Sequence, residues 1–156
     1  MGRDDEARLL IMTGAAAADV DEVPPSVRAL IASASDILVV APALPGRLQW
    51  LVSDIDRVRE EADERLETVM SQVESLAGDA LQGGTVGDDT PYDAFIDAVR
   101  RFQPHHILIA LRAADHSAWQ ERHLVDRARE AFHIPITIFE IDQAGRVPAP
   151  GSHVPA

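Results

Sequence analysis

The chain has no cysteine. That absence excludes disulfides, thiolate catalysis, zinc–thiolate centres and iron–sulfur clusters. Aromatic residues are only 4 % of the chain, so the core must be built from Leu, Ile, Val and Ala. No apolar run approaches the roughly 20 residues that span a bilayer. The chain begins MGRDDEAR, charged where a signal peptide would be apolar, and a cytoplasmic location is expected. Positive charge is scarce: 14 Lys+Arg stand against 26 Asp+Glu, a net charge of −12. Such a surface repels nucleic acid and anionic membranes, so neither is expected as a partner. Glycine is missing from the whole stretch between Gly87 and Gly145. No P-loop, Gly-x-Gly-x-x-Gly or Gly-x-Ser-x-Gly turn occurs, and the common phosphotransferase, dinucleotide-enzyme and hydrolase readings lose their local warrant.

What is present suits one domain. The chain has 156 residues, of which 46 % are hydrophobic and 26 % charged. At that length about two thirds of the unfolded surface can be buried. Arg8 to Thr13 (RLLIMT) and Asp36 to Ala41 (DILVVA) are short continuous apolar runs, as expected of strands buried on both faces. Between them Pro24 and Pro25 can open a helix with Val27, Leu30 and Ile31 on one stripe, reaching about Ser35. Ser53 or Asp54 is placed to cap a long helix, and Gly78 to stop it. Ile55, Val58, Ala62, Leu66, Val69, Val73 and Leu76 recur at steps of three and four and form one face.

Leu81 to Val86 (LQGGTV) reads as an edge strand weakened by two glycines. Thr90 then suits an N-cap, Pro91 N1 and Asp93 N3, with Phe95, Ile96, Val99 and Phe102 on the buried side of the helix. His106 to Leu111 reads as the fourth strand, Ser117 with Gln120 as a capping box, and Ile134 to Ile141 as the fifth strand. Alternating strands and helices predict a parallel sheet covered on both faces, a three-layer α/β/α domain. That domain spans residues 8–142, and residues 143–156 read as a flexible Pro/Gly-rich tail.

Gly87 and Asp88, Ala94 to Val99, Ile107 to Ala110, and Pro135 to Phe139 carry a resemblance. The second half of the chain resembles a universal stress protein (UspA-like) domain, and the first half is similar in layout. The resemblance implies an adenine nucleotide alpha hydrolase-like sheet of order 3-2-1-4-5, a stress-response role, and a homodimer paired through strand five. In the ATP-binding branch of the family it also implies a Gly-x2-Gly-x9-Gly-Ser/Thr loop after strand four and an aspartate after strand one. This chain has Thr13-Gly14-Ala15 and Arg112-Ala113-Ala114-Asp115-His116-Ser117 at those places. Alanine Cβ atoms block close approach of backbone N–H groups to phosphate, and Asp115 adds a like charge. Standard ATP binding is therefore not expected, nor any other cofactor. Arg112, His116 and Trp119 are expected to fill part of the vacated space.

The remaining polar groups have plainer readings. His116 and His123 are seven apart and interrupted by the Ser117 cap, which does not make a metal site. His105 and His106 precede the strand at its amino end, so they speak for packing or capping. His133 is placed to interact with the carbonyls at a helix C-terminus. Asp88 and Asp89 favour the helix that follows them more than acid–base work. Trp50 suits core or interface. The first expectation is a non-enzymatic regulatory homodimer, with a further protein partner left open. The alternative is a small-molecule or nucleotide binder using Thr13, Asp88 and Arg112 around the crevice at the ends of strands one and four. An enzyme using the histidines and carboxylates ranks last.

Overall fold

The apolar runs become inner strands because a helix-covered parallel sheet buries both faces of each strand. The computed structural model describes residues 7–41, 55–86, 91–112, 126–127, 129–142 and 146. β1 (Arg8–Thr13) leads through a 3-10 turn at Val20–Glu22 to α1 (Pro25–Ser33) and β2 (Asp36–Ala41). α2 (Ile55–Ala77), β3 (Leu81–Val86), α3 (Pro91–Phe102), β4 (His106–Arg112) and β5 (Ile136–Ile141) follow. All four strand pairings are parallel. The five strands lie in the order β3-β2-β1-β4-β5, so β3 is an edge, as its two glycines suggest, and the order is the one the resemblance implies.

Side chains alternate across the sheet. Leu9, Ile11, Val39 and Leu108 face α1 and α2, where Val27, Ile31, Val69 and Val73 meet them. Leu10, Met12, Val40, Ile107 and Ile109 face α3 through Phe95, Ala98 and Val99. Phe95 is fully buried and meets Phe132 edge to face, with ring centroids 6.2 Å apart and planes at 81°. Burying such a ring contributes about 1.5–3 kcal/mol.

Local chemistry sets the boundaries. Pro25 occupies the first helical position of α1, and the helix stops at Ser33, where Ala34 turns extended. Gly78 ends α2 with φ +60°, a left-handed conformation that suits a residue without Cβ. Gly84 serves packing: a Cβ there would lie 2.6 Å from the Met70 sulfur and 2.8 Å from Leu66 Cδ1. α2 can therefore lie close on β3. The last strand starts two residues later than its apolar run suggests. Pro135 has no N–H for the ladder, and its carbonyl accepts from Ile107 N at 3.0 Å, so pairing begins at Ile136. Among the described residues no helix is long and apolar enough to cross a membrane.

Candidate functional site

In open parallel sheets the ligand crevice lies outside the carboxyl ends of the strands, where the strand order reverses. Here that point is the β1/β4 pair. Thr13 ends β1 opposite Ala110, and Arg112 ends β4 opposite Ile141 of β5. The topology thus brings two of the three crevice residues named from sequence to one end of neighbouring strands. Asp88, the third, lies outside the described residues. So do Trp50, Asp89, Asp115, His116, Ser117, Trp119, Gln120 and His123.

The chain following β1 closes this end on itself. Gly14 donates its N–H to Ala110 O at 2.9 Å, which prolongs the β1–β4 ladder. Thr13 is 1 % exposed, and its hydroxyl donates to Ala15 O at 2.6 Å. Its proton is therefore committed to shaping the turn. Two side chains of α2 fasten the same segment: Arg65 Nε donates to Thr13 O at 3.0 Å, and Gln72 Nε2 donates to Ala17 O at 2.8 Å. Ala15 and Ala17 are buried beneath these bonds. Asp19 then shapes the 3-10 turn by accepting from Asp21 N.

Arg65 and Gln72 went unnoticed in the sequence. They stand seven residues apart on α2, hence on one side of the helix, flanking the stripe of Leu66, Val69 and Val73. A cation and an amide repeating at that spacing beside an apolar stripe was the available signal.

His105 and His106 sit at the opposite end of the sheet. His105 Nδ1 accepts from Arg8 N at 3.1 Å, and His105 N donates to Arg8 O at 2.8 Å. Arg8 Nε donates to the carbonyls of Phe102 and Gln103, at 3.0 and 2.9 Å, and so caps the C-terminus of α3. His106 Nε2 lies 2.7 Å from Thr137 Oγ1 on β5. Burial holds the His106 pKa below its usual 6.5. These contacts tie strands together, far from the crevice. His133 is exposed.

Order, parallel pairing and helical cover define a three-layer, Rossmann-like α/β/α protein. The crystal structure of hypothetical protein PH0823 is similar, with a TM-score of 0.50 at 13 % identity, covering 91 % of this chain and 98 % of that one. At that identity the likeness speaks for the fold alone. No family model matches the chain, and no curated protein does.

Proposed function

We infer that this chain is a non-enzymatic regulatory domain of the universal stress protein type, acting in the cytoplasm as a homodimer through β5 without standard ATP binding. The missing glycines after β4, where the ATP-binding branch of the family cradles phosphate, carry the reading. A nucleotide in such a crevice needs backbone N–H groups free to face phosphate. Gly14 N–H is instead committed to Ala110 O, and the Thr13 hydroxyl to Ala15 O. The sheet order 3-2-1-4-5 supports it further.

Titration calorimetry with ATP and magnesium tests the proposal. No saturable heat at micromolar concentrations is the expected result. A one-to-one isotherm in that range, lost in Arg112→Ala, favours the alternative of a nucleotide or small-molecule binder using Thr13, Asp88 and Arg112. The placement of Thr13 and Arg112 at one end of adjacent strands keeps that second reading concrete.

A further inference from the structure

Beneath the fastened loop, between the sheet and α2, lies a cavity of about 40 Å³. Ile11, Leu108 and Ala110 of the sheet, Val73 of α2, and Ala15 and Ala17 of the loop form much of its wall. Twelve of its fourteen lining residues are apolar. The two polar ones, Thr13 and Gln72, direct their donors to the backbone carbonyls of Ala15 and Ala17. A water needs about 10–15 Å³ and two to four polar partners. The space suffices for about three waters by that measure, but the walls offer too few free polar groups to hold them.

We propose that this cavity is a binding site for a small, uncharged, apolar molecule of about three heavy atoms, a size set by the same volume scale. Alanines 15, 17 and 110 create the space: each stands where a larger side chain would fill it. Phe139, Gln72 and Leu76 are the half-buried members of the lining, so entry runs past them. The cavity shares Thr13 with the crevice but is far too small for a nucleotide, because pockets for drug-sized ligands measure about 300–1,000 Å³. It stands whether or not the crevice binds ATP.

Xenon is the probe, followed by methyl NMR spectra of the full chain under increasing gas pressure. Saturable shifts are expected at the methyls of Ile11, Val73 and Leu108. Ile107 and Ile109, on the opposite face of the sheet, stay in place. Ala110→Val, a β-branched residue in a strand, fills the cavity and should weaken the response at least tenfold. Ala17→Val fills it from the loop and serves the same purpose if the strand variant does not fold. Absent shifts, shifts of equal size on both faces, or an undiminished response in both folded variants would overturn the site.

Discussion

Two residues carry conformations or environments that single substitutions can read. Gln103 has φ +51°, left-handed backbone that costs a non-glycine residue about 1–2 kcal/mol. It follows α3 directly, its N–H donates to Val99 O at 2.8 Å, and its carbonyl is held by Arg8. None of these bonds uses the Gln103 side chain. Gln103→Gly should therefore raise stability by about 0.5–1 kcal/mol, the relieved strain less glycine's larger unfolded entropy. A lower urea midpoint would show that the glutamine side chain matters more than the strain. His106 gives the second test. Its folded pKa lies below 6.5 because burial disfavours the charged form. The unfolded chain then binds more protons than the folded one just below 6.5, so stability is full above that pH and declines as the pH falls through it. His106→Gln should flatten this decline in denaturation midpoints taken across the window. An unchanged slope would place the pH dependence on other groups.

At the scale of elements, most of the fold was legible because most boundaries have local causes. β1, β2 and β3 begin and end where their apolar runs do, α2 stops at its glycine, and α3 starts at Pro91. β4 runs one residue past its apolar run, to Arg112, and β5 starts two residues late, where Pro135 removes a donor that hydropathy does not register. The site was less legible. Thr13 is where the sequence places it, but its hydroxyl turns inward to Ala15 O, a choice made by tertiary closure of the loop. Arg65 and Gln72 escape a sequence reading because their partners are backbone carbonyls more than 50 positions away, at separations of 52 and 55. Packing of α2 on β3 is directly testable. Gly84→Ala brings a methyl against Met70 and Leu66 and should cost about 1–3 kcal/mol as an overpacked contact. In a Met70→Ala background the added cost should shrink, as expected of residues in contact. Additive losses would mean that the backbone of β3 shifts instead.

The whole molecule leaves β5 at one end of the sheet, paired only with β4 among the described strands. Ile136, Thr137, Ile138 and Phe139 are half-buried, so the strand is neither covered like β1 nor polar like a protected edge. Ile136 to Phe139 carries no charge and no proline, the usual devices that keep an edge from pairing. The other edge differs: β3 is short in apolar side chains, with Gln82, Gly83, Gly84 and Thr85 between Leu81 and Val86. Pairing of two copies through β5, related by a twofold axis and antiparallel, would join the two β5 edges to each other. A homodimer of about twice 16.9 kDa is the expected species in sedimentation. Ile138→Lys places a charge in the pairing strand, and Ile136→Pro removes a backbone donor there. Each should shift the equilibrium toward monomer. Proline substitution also threatens the β4 ladder, so Ile138→Lys is the cleaner of the two. If the unmodified chain sediments as a monomer at tens of micromolar, or if both folded variants remain dimeric, the β5 interface is wrong and the edge must be protected in another way.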